Sequence, residues 1–293
     1  MAEDMGSTVP RRQLGRTLRQ LRLESQITLD GAANALDCSR QKVWRIECGI
    51  GAVRGVDVRA MCELYDATAE LTTALVALAG ETKSKGWWHA YGDLIPDWFE
   101  LYVGLESTAS RLREYEHTLI PGLLQTRRYA LAIYQHRIEM TEEERERAAD
   151  VRLERQALLR RRLPPAPRFE VVLSEAVLLR TIPDRDAMAE QLAHLIKMSQ
   201  LPNVSLRVLP LARGPHRGAE AGAFVLLEFP IGSRVIPDPP VVYCESWTGA
   251  LYLDRADEFA SYEDIWAGLE NDALDEEQSR ELIFKIFGEV RRA

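Results

Sequence analysis

A short segment, SRQKVWRIE at positions 39–47, combines guanidinium, amide and ammonium groups within nine residues. Arginine can donate two hydrogen bonds to guanine, and glutamine can form a bidentate pair with adenine. We therefore predict base contacts from Arg40 and Gln41, and from Arg45 a contact with either a base or a phosphate. Trp44 is predicted to pack on a sugar or a thymine methyl, or equally well to cover the edge of its own domain's core.

The charge of the chain is uneven, and an excess of basic residues surrounds this segment. Positions 11–59 hold ten basic and five acidic residues, although the whole chain has a net charge of −8. A basic region on an acidic chain suits contact with a polyanion such as DNA, but a solvated helix surface also explains many arginine clusters. Phosphate contacts set register without reading sequence, and the predicted phosphate-binding set is Thr28, Ser39, Lys42, Arg11, Arg12 and Arg54.

Apolar residues recur at helical spacing around this segment and predict an all-α domain of five short helices. Their predicted inward residues are Leu14, Leu18 and Leu21; Leu29, Ala32, Ala33 and Leu36; Val43 and Ile46; Val58, Met61, Cys62 and Tyr65; and Leu71, Leu75 and Leu78. Thr28 and Ser39 are placed to cap the N-termini of the second and third helices, and Gly49 is placed to end the third. Only three residues, Asp37–Ser39, separate those two helices, which is typical of a helix-turn-helix.

Positions 14–65 resemble the Cro/cI-like (XRE) family of helix-turn-helix regulators. The matching residues are Leu18, Leu21, Arg22, Ile27, Thr28, Ala33, Ser39, Val43, Arg45, Ile46, Glu47 and Gly49. The resemblance implies that the N-terminal part of the third helix enters the major groove of double-stranded DNA. The chain departs from the family at Leu29, where the family has a phosphate-binding glutamine, so no contact is predicted there.

Five further residues are predicted to build the architecture of this domain. The resemblance implies that Glu47 pairs with Arg22, so that an ion pair locks the third helix against the first. Val43 and Ile46 are the inward anchors of the third helix. Ala33 is small at the point where another helix would cross the second one closely.

The composition changes past Gly80, where a polar linker, ETKSKG, occupies positions 81–86. We therefore predict a helix-turn-helix domain at 1–82 and a larger domain at 86–293. The fold class predicted for the whole chain is α+β, with an all-α first domain and one mixed β-sheet in the second.

The elements of the second domain are predicted from local patterns. The sequence STASRLREYEHTLIPGLLQTRRYALAIYQ predicts two helices broken at Pro121–Gly122, and Thr141 with Glu144 predicts a capping box that opens a long charged helix. The runs FEVVLSE, VSLRVLP, AFVLLEF, VVYCES and ALYL predict about five strands. A closing helix is predicted near positions 275–290.

The second region also resembles a known family, a C-terminal domain of unknown function that accompanies this helix-turn-helix in filamentous high-GC bacteria. The resemblance is carried by WFELYVGLESTASRLREYEHTLIPGLLQTRRYA, LSEAVLLR, LPNVSLRVLP, GAFVLLEF and YCESWTGALYL, with PGLLQT at Pro121–Thr126 the most distinctive element. It implies regulation of development or secondary metabolism, often beside a gene for a small partner protein.

Catalytic and metal chemistry have weaker support in the sequence. Glu175 and Glu245 lie at predicted strand ends, where paired carboxylates could perform acid–base chemistry. The segment GPHRGAEAG at Gly214–Gly222 could approach an anion but lacks the Lys-Ser/Thr of a phosphate loop, and His216 within it is predicted to be an exposed loop residue. The four cysteines and five histidines show no metal-ligand spacing. We predict no enzyme activity, no metal and no cofactor.

The sequence has no run near the roughly 20 apolar residues of a membrane span, and its N-terminus has no apolar signal core. We therefore expect a cytoplasmic protein without a membrane partner. Our interpretation is a sequence-specific DNA-binding transcriptional regulator that binds a palindromic operator as a homodimer. The second domain is expected to dimerise, or to bind a small partner protein or a small-molecule effector. The alternative is an antitoxin-like module that binds a small partner protein and autoregulates its operon.

Overall fold

A computed structural model describes residues 8–47, 49, 53–81, 97–230, 239–247 and 249–292. These residues belong to two compact units, the first within 8–81 and the second within 97–292. The predicted linker lies outside the described residues apart from Glu81, so the predicted domain boundary stays a prediction.

The helices of the first unit follow the spacing of its apolar residues. Its described residues form five α-helices: α1 Thr8–Glu24, α2 Leu29–Ala35, α3 Arg40–Glu47, α4 Gly55–Leu64 and α5 Ala69–Glu81. The predicted inward residues of all five helices are buried in one core or packed against it. Since burying one leucine side chain contributes on the order of 2 kcal/mol, this shared core is what holds helices as short as α2 and α3. The predicted all-α first domain is confirmed.

The turn between α2 and α3 sets the direction of the third helix. The hydroxyls of Thr28 and Ser39 each accept a hydrogen bond from the backbone N–H three residues on, at 3.0 and 3.1 Å, so both predicted N-caps are present. α2 ends earlier than predicted, with Leu36 as its C-cap, and the break therefore covers 36–39. Gly49 follows α3 with a φ of +69°, a left-handed conformation that glycine adopts without strain.

The first helix crosses the end of α3 at Gly15. A Cβ at this position would lie 2.7 Å from the carbonyl oxygen of Glu47, a distance at which one of the two backbones would have to move. Ala33, the predicted close crossing point, is buried as well. Gly15 is a further close crossing, and the absence of a side chain there fixes where α3 lies against α1.

The second unit alternates helices and strands. Its described helices are α6 Asp97–Thr108, α7 Arg127–Tyr134, α8 Glu142–Gln156, α9 Glu175–Leu179, α10 Arg185–Met198, α11 Arg217–Ala221, α12 Ala256–Asp272 and α13 Glu276–Arg292. Its described strands are β1 Arg111–Glu116, β2 Arg168–Ser174, β3 Val204–Leu209, β4 Phe224–Glu228, β5 Val241–Ser246 and β6 Gly249–Leu253. The predicted capping box opens α8: Glu144 N–H donates to Thr141 Oγ1 at 3.2 Å, and Thr141 N–H donates to Glu144 Oε2 at 2.7 Å.

The strands of the second unit form one mixed sheet. Within the described residues its order is β3-β2-β1-β4-β5-β6, with β1, β2 and β3 parallel and β4, β5 and β6 antiparallel to their neighbours. β1 lies inside the sheet, where Leu112 pairs with Phe169 on one side and with Leu227 on the other. The predicted mixed sheet is confirmed, with six strands in place of about five.

The additional strand, β1, shows that the predicted helix over this segment is wrong. Its sequence RLREYE is mostly charged, yet the strand is largely buried. Charge partners on other elements make this possible: Arg111 lies 2.5 Å from Glu170 of β2, and Arg113 lies 2.9 Å from Glu228 of β4. Because these partners are distant in the chain, the local pattern resembles a polar helix surface.

Candidate nucleic-acid interface

α3 presents one face to the core of the first unit and another to solvent. Val43 is fully buried and Ile46 is half-buried, whereas Arg40, Gln41 and Trp44 are exposed. Trp44 keeps 47% of its surface exposed, so both roles predicted for it, contact with DNA and cover over the edge of the core, stay predictions. The candidates on the first turn of α3 therefore lie where a duplex could reach them.

The two arginines of α3 differ in their exposure to solvent and in their contacts. Arg45 is half-buried along the same helix. Arg40 Nε lies 3.7 Å from Asp30 Oδ1 of α2, and both side chains are exposed. An exposed pair of this kind contributes about 1 kcal/mol or less. The contact with Asp30 is therefore too weak to keep Arg40 from a base.

The ion pair predicted between Arg22 and Glu47 is present and buried. Arg22 Nε donates to Glu47 Oε1 at 2.6 Å, and Nη2 donates to Oε2 at 2.9 Å. The remaining terminal nitrogen donates to the carbonyl of Ile27 at 2.8 Å. The hydrogen bonds with Glu47 raise the pKa of Arg22 against the opposing effect of burial. A planar guanidinium and a carboxylate in this bidentate geometry join α1 to α3 in one orientation.

Two of the predicted phosphate-binding cations converge on Asp57, in the first turn of α4. Lys42 Nζ lies 3.2 Å from Asp57 Oδ1, and Arg54 donates from Nε to Oδ2 at 2.9 Å and from Nη2 to Oδ1 at 3.1 Å. The hydrogen bond with Arg54 is the largest cause that lowers the pKa of Asp57, and Lys42 adds to it against the effect of burial. The structure thus brings together a cation of α3 and the N-cap residue of α4.

The other predicted phosphate-binding residues have different placements. Thr28 and Ser39 are exposed, and although each hydroxyl accepts a capping hydrogen bond, its own proton remains available to a phosphate oxygen. Arg11 is only 3% exposed, so the phosphate contact predicted for it is wrong in this structure, because a guanidinium enclosed by protein does not reach a phosphate. The side chain of Arg12 lies outside the described residues.

Asp57 and Gly15 are absent from the sequence-based candidates, although each leaves a partial signal. Arg54 and Asp57 are three residues apart at the start of α4, a spacing at which opposite charges meet on a helix. The contact of Asp57 with Lys42 has no such local signal. An isolated glycine inside the predicted first helix suggests that another part of the chain approaches closely at Gly15. The pattern does not indicate that this part is the end of α3.

The two carboxylates at predicted strand ends, Glu175 and Glu245, each accept a hydrogen bond. Glu175 Oε2 accepts a hydrogen bond from the Leu211 N–H at 2.9 Å. Glu245 Oε2 accepts one from the Tyr243 hydroxyl at 2.9 Å. Each of the two carboxylates is therefore held by a hydrogen-bond donor of the second unit.

Within the glycine-containing segment at Gly214–Gly222, His216 and Gly218 pack against Tyr115 of the sheet, while most of the other residues are exposed. His216 is half-buried, with its ring centroid 5.9 Å from that of Tyr115, so its predicted exposure is wrong. A Cβ on Gly218 would lie 2.9 Å from the same tyrosine ring, and this close packing carries the histidine inward.

A group of buried charges lies between α6, α8 and β1. Arg155 donates to Glu106 from Nε at 2.8 Å and from Nη2 at 2.7 Å. Burial raises the pKa of Glu114 well above its usual range, and the charges of Glu116 and Glu106 add to the rise. Burial also raises the pKa of Glu116 to about 7, with a further contribution from Glu245. Oε2 of Glu116 is buried without a hydrogen-bond partner in the described part of the chain.

Metal sites, disulfides and membrane-spanning helices are all missing from the ranges that the structure describes. Among the described residues, no group of three or more His, Cys, Asp or Glu side chains could hold a metal ion. Cys38, Cys62 and Cys244 form no disulfide within those residues. None of the helices that the structure describes is both long and apolar enough to span a bilayer.

Known families account for both units. Residues 13–75 match the family described as "Helix-turn-helix domain". Residues 99–285 match the family described as "Domain of unknown function (DUF5753)". No curated protein matches the chain. Because the second match covers more than half of the sequence, the chain belongs to the DUF5753 family, and it carries a helix-turn-helix domain ahead of that domain.

Proposed function

We propose that this protein is a sequence-specific DNA-binding transcriptional regulator and not an enzyme. A helix-turn-helix domain indicates a DNA-binding regulator. The observation that carries the proposal is the exposed first turn of α3, with Arg40 and Gln41, on a helix that the buried Arg22–Glu47 pair holds in place. Base reading needs both features, since the side-chain tips must be accessible while their backbone stays fixed.

The proposed base contacts follow from the chemistry of four α3 side chains. Arg40 donates two hydrogen bonds to guanine, and Gln41 pairs with adenine, both in the major groove. Arg45, which lies about one turn further on, contacts a base or a phosphate. The exposed indole of Trp44 packs on a thymine methyl or a sugar.

The proposed phosphate contacts flank these base contacts. Lys42 and Arg54 supply cationic groups, and Thr28 and Ser39 supply hydroxyls at the starts of α2 and α3. Such contacts set the position of the domain on the duplex without reading sequence. Arg12 remains a prediction from the sequence.

We further propose that the protein acts as a homodimer on a palindromic operator, because one small helix-turn-helix contacts few base pairs. The second unit would supply the dimer contact or bind a partner or effector. Its surface supports an interaction role: Ile138 is 92% exposed and Trp247 is 77% exposed. Arg137, next to Ile138 in the chain, has its guanidinium 5.1 Å from the Trp247 ring, so the segment that carries Ile138 lies beside this tryptophan.

Selection of duplexes from a random-sequence pool by the full chain tests the proposal. We expect enrichment of one sequence motif with two inverted half-sites. Failure to enrich any motif would contradict sequence-specific binding. Enrichment of one half-site alone would support the base-reading role and contradict the proposal of a homodimer on a palindromic operator.

The alternative, an antitoxin-like module, is favoured by the same exposed region around Trp247. In that case a small partner protein binds the second unit, and DNA binding serves autoregulation alone. Co-purification of a stoichiometric small protein that Trp247→Ala abolishes would support this alternative. A wide set of genomic binding sites would support the regulator instead.

A further inference from the structure

Asp57 contacts two of the cations that are proposed to bind phosphate. Its Oδ1 lies 3.2 Å from Lys42 Nζ and 3.1 Å from Arg54 Nη2, and its Oδ2 lies 2.9 Å from Arg54 Nε. Lys42 belongs to α3, whereas Arg54 is the N-cap of α4. One carboxylate therefore fixes two cations from different helices relative to each other.

The exposure of the three side chains shows how this group faces solvent. The Asp57 side chain is 20% exposed, while those of Lys42 and Arg54 are 44% and 69% exposed. The two cations thus cover the carboxylate and stay open themselves. A phosphate that approaches from solvent meets the cations before it meets the anion.

We infer that Asp57 is a positioning residue that increases the specificity of DNA binding by holding Lys42 and Arg54 in one register. This inference rests on the proposed DNA-binding function. Cations that are already held in place lose less conformational freedom when they dock on phosphates at matching positions. On a duplex bound in another register, the cations must leave Asp57 to reach phosphates, so binding there loses the modest free energy of these ion pairs.

The charge of Asp57 acts on both kinds of duplex. Binding to non-specific DNA is essentially electrostatic, and specific binding adds base contacts to the same phosphate contacts. A carboxylate among phosphate-binding cations therefore weakens both by a similar factor, and the ratio of the two affinities depends on the positioning of Lys42 and Arg54. Its removal should raise affinity for any duplex while it lowers the preference for the correct one.

A purely structural role for Asp57 makes a different prediction. An acidic residue in the first turn stabilises a helix through the helix dipole, and Arg54 is placed for a local pair. Those effects would change the stability of α4 and leave the ratio of specific to non-specific affinity unaltered. Neither of them explains the contact with Lys42 on another helix.

The test compares Asp57→Asn with Glu63→Gln in the full chain. Glu63 is exposed on the same helix, so its variant removes the same charge without touching either cation. Affinities are measured over a range of salt concentrations for the duplex that the wild type selects and for an unrelated duplex of equal length. One additional phosphate contact changes the salt slope by about 0.9, which corresponds to up to about eightfold tighter binding near 0.1 M salt.

For Asp57→Asn we expect up to about eightfold tighter binding to the unrelated duplex. Binding to the selected duplex should tighten less or should weaken. The ratio of specific to non-specific affinity should therefore fall several-fold. Glu63→Gln should keep the wild-type ratio. Equal changes on both duplexes would overturn the inference. A wild type without preference for any duplex would instead be a failure of the proposed function.

Two further variants separate positioning from stability. Asp57→Glu keeps a carboxylate that can still reach both cations, so it should keep the wild-type ratio of specific to non-specific affinity. This variant tests the inference even if Asp57→Asn unfolds the first unit. Loss of the ratio in Asp57→Glu would count against the inference. In a Lys42→Gln/Arg54→Gln background, Asp57→Asn should have no further effect on the ratio. A ratio that still falls there would show that Asp57 acts through other groups.

Discussion

Arg22 and Glu47 form a buried, bidentate ion pair between α1 and α3, with Nε–Oε1 and Nη2–Oε2 distances of 2.6 and 2.9 Å. Arg22 also donates to the Ile27 carbonyl at 2.8 Å. A single guanidinium thus joins the first helix, the residues before α2 and the helix proposed to read bases. The orientation of the side chains that are proposed to face DNA depends on a contact that is itself turned away from solvent.

Glu47→Ala should destabilise the first unit by about 3–5 kcal/mol, because it leaves the Arg22 guanidinium buried without its partner. Hydrogen exchange of α3 amides in the full chain would measure the loss. Glu24→Ala is the matched control, since Glu24 is an exposed acceptor for Gln20 on α1 and its loss should change stability by about 0.5 kcal/mol or less.

The double variant Arg22→Met/Glu47→Leu tests the cause of this destabilisation. Replacing both charges with apolar groups leaves no unpaired buried charge, so it should destabilise less than Glu47→Ala does. Equal protection of α3 amides in Glu47→Ala and Glu24→Ala would show that the pair does not lock the helix.

Gly15→Ala should also destabilise the first unit, on the order of 1–3 kcal/mol, because its Cβ would press against backbone atoms at the end of α3. Gly80→Ala in the last turn of α5 is a control: a Cβ there meets nothing within 4 Å, and alanine is a better helix former than glycine. The melting temperatures should therefore shift in opposite directions. A Gly15→Ala variant as stable as the wild type would contradict the close crossing.

The first unit could be predicted well from the sequence because its determinants are local. Apolar spacing gave the five helices, and the hydroxyls of Thr28 and Ser39 cap helices within three residues of themselves. The Arg22–Glu47 pair spans 25 residues and is not a local feature. Its prediction came from the resemblance to a family.

Features that depend on distant partners could not be predicted in this way. β1 is stable as a charged inner strand because Arg113 has Glu228 and Glu263 beside it, on β4 and α12. The burial of Arg11 likewise has no local signal, since an arginine near a basic helix surface looks solvated. In each case the tertiary contacts reverse what the side chain's own polarity suggests.

Arg40→Ala should relax base preference at one position of each half-site, with a loss on the order of 1–3 kcal/mol if the contact with guanine is bidentate. Repeating the duplex selection with the variant would reveal which position loses its preference. Arg19→Ala, an exposed arginine on α1, removes the same charge away from α3 and should keep the motif. Equal weakening by Arg40→Ala on every sequence would assign Arg40 to phosphate instead.

Glu116 should make the stability of the second unit depend on pH. Burial raises the pKa of its carboxyl from 4.5 to about 7, and the charge of Glu245 adds to the rise. A carboxyl with a raised pKa favours folding while it is protonated. The stabilisation is therefore complete below the unfolded pKa and declines as pH rises through the folded pKa, by up to about 3 kcal/mol across this window.

Glu116→Gln keeps a neutral side chain at every pH, so the decline in stability between about pH 4.5 and pH 7 should become shallower. Chemical denaturation of the second unit across this range would measure the decline in stability. The slope that remains in the variant is attributed to Glu114, whose pKa is also raised by burial.

Glu144→Gln provides a control of opposite sign, because hydrogen bonds from Thr141 lower the pKa of Glu144. That variant should lose stability only at pH values above the lowered pKa and leave the slope between pH 4.5 and pH 7 unchanged. Identical slopes in Glu116→Gln and the wild type would mean that this carboxyl is ionised in the folded protein and that solvent or a cation reaches it.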